Sequence, residues 1–175
     1  MVAVTISSIL IALPVAHRDG VKVEFIDVLF TAVSAVSVTG LTTLPTAETF
    51  STTGNFILAI VLQFGGIGVM TLGTLIWLML GKKIGLKERR LIMTDQNQTS
   101  FAGMVRLVKQ IVIVVLVIEL VGFLVLGTYF LQYYEPGEAY LQGFFGTISA
   151  MTNGGFDITG QSLIPFRDDY FVQFI

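Results

Sequence analysis

The sequence predicts an all-α integral membrane protein built from repeated helix–pore loop–helix units. Three observations carry this prediction: an apolar composition, uncharged stretches of membrane length, and a short segment that occurs twice. Apolar residues make up 54% of the 175 and charged residues 13%, about half the charged share usual in soluble proteins. The mean hydropathy is +0.82. The segment from Phe30 to Leu41 aligns without a gap on Phe145 to Phe156, 115 positions later. Phe30/Phe145, Ser34/Ser149, Ala35/Ala150 and Gly40/Gly155 are identical, and Val33/Ile148, Val36/Met151, Ser37/Thr152 and Leu41/Phe156 are similar. Each copy is a short apolar helical stretch running into a Thr- or Asn-containing stretch with glycine. Irregular backbone at membrane depth is tolerated only where it is buried in protein or lines a watery path, and an ion selectivity filter is built this way. The repeat therefore points to a pore.

The elements follow in order. Residues 2–16 are apolar and end at Pro14 and the turn His17–Gly20. As a helix they reach roughly 22 Å, short of the ~30 Å hydrocarbon core, and are expected to be the outer part of a spanning helix that starts before Met1. A signal peptide is the weaker reading, because no basic region precedes the apolar run. Residues 24–36 form the first short helix, with Glu24 and Asp27 near its N-terminus, where negative charge suits the helix dipole. Residues 37–46 are the first irregular strand, closed by Pro45. No residue from Thr49 to Gly81 is charged, which is ample for a span, with Ser51, Thr52 and Thr53 as candidate N-caps. Gln110 to Tyr134 is a second span with Glu119 its only charge, broken by Glu135-Pro136-Gly137. Residues 139–152 repeat the short helix and 153–160 the irregular strand, and Arg167 to Ile175 begins another long helix. The expected domains are a first helix–pore loop–helix repeat over 1–80, a basic connector over 81–109, and the start of a second repeat over 110–175.

Charge sets the topology. Lys82 to Lys109 holds seven of the ten basic residues (Lys82, Lys83, Lys87, Arg89, Arg90, Arg106, Lys109) against Glu88 and Asp95. The positive-inside rule places it in the cytoplasm, so both short helices enter from the outer face. The segments assigned outside carry nine acidic residues, among them Asp19, Glu24, Glu48 and Asp157, against Arg18, Lys22 and Arg167. Such a vestibule raises the local cation concentration.

Composition also excludes. No cysteine is present, so there is no disulfide, thiolate metal site or thiol nucleophile. One histidine at a turn and one mid-span carboxylate give no nucleophile–base set, and no enzyme activity is expected. Gly65, Gly66, Gly68 and Gly73 lack the third glycine of a nucleotide loop, since Thr71 stands there. They read as packing glycines, with Gly65 and Gly68 on one helix face. Glu119 is either a functional group of the membrane interior or an internal tie between helices. His17 reads as solvated, Asp157 as a cap or turn residue, and Trp77, Tyr133 and Tyr134 as aromatic-belt residues.

Two pairs of motifs carry a family resemblance. Ser37-Val-Thr-Gly-Leu-Thr-Thr43 with Gln63-Phe-Gly-Gly-Ile-Gly-Val-Met70 resembles the first repeat of the Ktr/Trk/HKT potassium transporters. Ile118-Glu119-Leu120 with Asn153-Gly-Gly-Phe-Asp157 resembles their second. The similarity covers essentially the whole chain and is greatest to the membrane subunit of bacterial Ktr uptake systems. It implies about one and a half of four repeats around one pore. It implies potassium uptake across the plasma membrane by a multi-pass subunit, with sodium as a candidate coupling ion. A gated monovalent cation channel subunit or a non-conducting membrane scaffold are the alternatives.

Potassium sheds water on entering a filter, and backbone carbonyls replace it. Glycine permits the φ > 0 that aims carbonyls at an axis, and the resemblance assigns one such glycine per repeat, here Gly40 and Gly155. The expected ion-binding carbonyls are those of Ser37, Val38, Thr39 and Gly40, with Thr152, Asn153, Gly154 and Gly155. Family members usually carry Ala where this chain has Gly154. The chain is expected to bind no cofactor beyond the transported ion. The expected partners are a cytoplasmic nucleotide-binding regulatory ring of the KtrA type, a second full-length subunit in a homodimer, and membrane lipids, with no nucleic acid. The basic connector is the surface for lipid headgroups or for the ring.

Overall fold

A computed structural model gives the architecture and describes residues 1–68, 71, 73, 90, 94 and 104–174. The helices whose bounds fall among the described residues are α1 (Val2–Ile11), α2 (Phe25–Val36), α3 (Thr46–Thr49), α4 (Thr52–Gly66), α5 (Met104–Phe130), α6 (Pro136–Met151) and α7 (Tyr170–Phe174). Short 3-10 turns cover Pro14–Ala16 and Ile164–Phe166. Among the described residues the one β-type pairing is an isolated antiparallel bridge between His17 and Phe50.

The helix boundaries have local causes. Glu24 is the N-cap of α2 and Asp27 lies in its first turn, where carboxylates favour the positive end of the dipole. Ser51 caps α4, its Oγ accepting from the Gly54 N–H at 3.0 Å while donating to the Val15 carbonyl at 2.6 Å. That one hydroxyl both starts α4 and fastens it to the turn after α1. Pro45, with φ −61°, opens the short α3, at the point where the sequence predicts the end of an irregular strand.

Three boundaries differ from expectation. α6 begins at Pro136 rather than at residue 139, because proline in the first helical turn lacks only an N–H that has no helical partner anyway. α5 runs over Met104–Phe130 rather than 110–134. Arg106 and Lys109 enter its first turns, and the chain turns at Leu131–Tyr133. The described part of α4 ends at Gly66, and Gly68 stands beyond it with φ +95°. Gly68 therefore does not share a helix face with Gly65. The remainder of the expected 49–81 span, Trp77 and most of the 81–109 connector lie outside the described residues.

α5 is about 40 Å long, and Arg106–Phe130 is long and apolar enough to cross a membrane. Its flank carries exposed Ile113, Val114, Leu116, Val117, Leu120 and Val121, the surface expected of a helix solvated by lipid tails. α5 and α6 form an antiparallel hairpin. Its closeness is set by glycine: a Cβ on Gly143 would stand 2.6 Å from the Gly127 Cα, and one on Gly122 would stand 2.6 Å from the Thr147 Cγ2. Backbones approach this closely in membranes where side chains are absent. α4 packs against α1, α2 and α6, and Ile11, Ala32, Ala35, Leu58, Leu62 and Phe145 form one core there. The core holds the C-terminal ends of α2 and α6 beside each other.

Candidate selectivity filter

The segments after α2 and α6 carry positive φ at the same matched positions, at the 115-residue offset. Val38 (φ +55°) matches Asn153 (φ +57°), and Gly40 (φ +76°) matches Gly155 (φ +68°). The hydrogen bonds match too. Ser37 N–H donates to Val33 and Thr152 N–H to Ile148, both at 2.9 Å. Thr39 N–H donates to Ser34 at 2.9 Å and Gly154 N–H to Ser149 at 2.7 Å. The hydroxyls of Ser37 and Thr152 each donate to the carbonyl four residues back, Val33 and Ile148, at 2.7 Å. Each helix thus closes with a residue in right-handed geometry, Ser37 or Thr152, and the next residue turns left-handed.

Left-handed geometry is ordinary for glycine, tolerated by asparagine and costly for a β-branched residue. Val38 is therefore a strained position, and strain of this kind persists where the surroundings fix it. Nothing in the residues around Val38 signals it. The signal lies in its partner, since Asn153 is a residue that accepts φ > 0.

The two segments converge at their glycines. A Cβ on Gly40 would stand 2.8 Å from the Gly154 carbonyl oxygen and 3.1 Å from the Gly155 Cα, and one on Gly155 would stand 3.3 Å from the Gly40 Cα. Of the eight expected ion-binding residues, Gly40, Gly154 and Gly155 are thus in mutual backbone proximity. Ser37 and Thr39 join their hydroxyls at 2.7 Å on the first segment. Thr152 is buried and Asn153 exposed on the second. Each helix C-terminus, with roughly half a negative charge, immediately precedes its segment.

The copies also differ where the second segment returns to its helix. Ser149 donates to the Phe156 carbonyl at 2.8 Å, fastening the second segment back onto α6. Its counterpart Ser34 is buried, and its Oγ finds no partner among the described residues.

Residues 2–175 match the TrkH family, described as cation transport protein. The chain belongs to the TrkH family. It is 68% identical to the Ktr system potassium uptake protein D of Bacillus subtilis over 99% of the chain and 39% of that protein. It is 35% identical to the Ktr system potassium uptake protein B of the same organism, over 98% and 38%. With the potassium/sodium uptake protein NtpJ of Enterococcus hirae the identity is 33%, over 93% and 36%. The chain thus spans well under half the length of these relatives. TrkH-family chains and these relatives are transport proteins of the membrane, not enzymes.

Within this TrkH-family chain the other singled-out residues take clear places. Gln63 of α4 donates through Nε2 to Glu119 Oε2 on α5, so Glu119 is buried as a tie between helices. Gly65 faces the Ala35 and Val36 carbonyls and the Val38 side chain, and Gly66 faces the Thr152 side chain. These two glycines pack, as expected, but against the residues leading into both segments. Asp157 is a turn residue: Oδ1 accepts from Thr159 N–H and Oδ2 from Ser162 N–H, both at 2.8 Å. His17 is not solvated as the sequence suggests. It is half-buried against Phe50, with ring centroids 5.7 Å apart, and burial lowers its pKa. The reason is the bridge to Phe50, which folds the turn onto the start of α4.

Proposed function

We propose that this chain forms part of the pore of a potassium uptake protein. In this reading it supplies about one and a half helix–pore loop–helix repeats. The carbonyls of Ser37, Val38, Thr39 and Gly40, and of Thr152, Asn153, Gly154 and Gly155, make two walls of its selectivity filter. The observation that carries the reading is the common conformation of the two segments and their meeting at Gly40 and Gly155. Identical φ signs at matching positions are what two walls of one ring of carbonyls require, because each wall must present its oxygens at the same heights. The helix C-termini behind them favour cations over anions without choosing among cations.

The rest extends this reading by the family resemblance. The complete protein is a multi-pass subunit of the plasma membrane, with the basic stretch 82–109 in the cytoplasm. It pairs with a second complete subunit and with a nucleotide-binding regulatory ring. The ring meets the cytoplasmic loops, and sodium acts as coupling ion. The test is potassium uptake by the complete protein in cells stripped of their own uptake systems. Restored growth at low external potassium supports the reading, and growth no better than in cells without the protein would sink it.

A further inference from the structure

Glu119 sits at the junction of three helices. Its Oε2 accepts from Gln63 of α4, and one turn further along α5 Gly122 packs on Thr147 of α6. Glu119 is 7% exposed. The walls around the pair are apolar: Leu116, Leu120, Phe123, Phe144 and Ile148 line the groove they share. In such surroundings a carboxylate oxygen is held firmly to the donor it has, because losing that donor leaves a buried polar group unpaired.

The geometry carries this anchor to both candidate filter segments. Gln63 lies in the last turn of the described α4, two residues before Gly65 and three before Gly66. Gly65 rests on the end of α2 and on Val38, and Gly66 rests on Thr152. Adjacent residues of one turn thus touch the entrance of both segments. Whatever fixes the rotation and height of this turn fixes the first segment relative to the second. Gly65 and Gly66 present no side chain, so the turn approaches both segments closely. The hydrogen bond from Gln63 to Glu119 is the polar tie that holds this turn to α5.

We infer that Glu119 is a positioning residue for ion selectivity, acting through Gln63 and the Gly65–Gly66 turn on the spacing of the two filter segments. The inference rests on the filter reading above. It separates Glu119 from a plain stabilising role, which would change how much protein reaches the membrane and leave ion preference alone.

The experiment uses the complete subunit in cells lacking their own uptake systems, with potassium and sodium uptake measured per subunit in the membrane. Glu119→Leu should lower the potassium-to-sodium ratio about fivefold, the scale of one interhelical hydrogen bond. Glu119→Gln, which still accepts from Gln63, should keep the ratio. The double variant Gln63→Leu/Glu119→Leu leaves no buried partner unpaired. It should reach the membrane at near-normal yield with the ratio still lowered, and it stands in for Glu119→Leu if that variant is made poorly. Gly40→Ser and Gly155→Ser are measured alongside. A ratio lowered by either but unchanged in the Glu119→Leu and double variants overturns the positioning role and leaves the filter standing. A ratio that neither Gly40→Ser nor Gly155→Ser moves overturns both.

Discussion

Gly40 and Gly155 meet backbone to backbone, each at positive φ, with room for no side chain on Gly40: its Cβ would stand 3.1 Å from the Gly155 Cα and 2.8 Å from the Gly154 carbonyl oxygen. The contact joins positions 115 apart that the sequence pairs by alignment alone. Two penalties fall on any substitution at Gly40. The Cβ meets backbone that cannot swing aside, and an L side chain resists this φ.

The matched φ of Val38 and Asn153 makes a substitution rule. Val38→Asn should be well tolerated, since asparagine takes this conformation at the partner position. Val38→Pro should abolish uptake, because the ring holds φ near −65°. Uptake by the complete protein checks both. Normal transport by the proline variant would show that the left-handed turn is not needed.

The α5–α6 hairpin depends on the bare backbone at Gly143. Gly143→Ala would push a methyl to 2.6 Å from the Gly127 Cα. We expect a loss of about 1–3 kcal/mol of stability, the scale of overpacking, read as a lower melting temperature in detergent. The added Cβ of Gly146→Ala meets nothing within 4 Å, and that variant should melt close to the parent. Equal melting of the two variants would show that the close approach is unimportant.

His17 gives a pH dependence with a definite sign. Burial lowers its pKa from 6.5, so the unfolded chain binds the proton more readily than the folded one. The stability contributed by neutral His17 is complete above pH 6.5 and is lost as pH falls below it. Melting measured on both sides of that value should drop on the acid side, and His17→Phe should shrink the drop. A drop of equal size in the variant would assign it to other groups.

Topology has its own test. Cysteines placed at Lys83 and Thr99 should resist an impermeant thiol reagent in intact cells, because seven basic residues against two acidic ones favour a cytoplasmic place for the stretch 82–109. Labelling from outside would invert the orientation of the whole chain.

Much of the fold is legible in the residues alone, for identifiable reasons. α2 is readable from Glu24 to Val36 because an acidic start and a mostly apolar run free of glycine and proline agree on one helix. The Ser51 cap is readable from a hydroxyl ahead of a charge-free run. The start of α6 is easily misplaced because Glu135-Pro136-Gly137 resembles a breaker, although proline fits a first helical turn. The φ of Val38 is hidden, since a β-branched residue argues against it. The Gln63–Glu119 tie joins residues 56 apart, and no helical period pairs them. A polar residue in each of two apolar spans is the one hint. Gly66 reads as a packing glycine, but what it packs on, Thr152, emerges only when three helices are assembled.

The most direct test of the filter is the relative uptake of potassium and sodium by Gly40→Ser and Gly155→Ser variants of the complete protein, at equal amounts in the membrane. Serine adds a Cβ that penalises φ > 0 and displaces carbonyls whose number and aim decide how well a dehydrated potassium ion is held. Both variants should lose preference for potassium over sodium. An unchanged ratio in both, at normal expression, would mean that the two glycines do not form the filter.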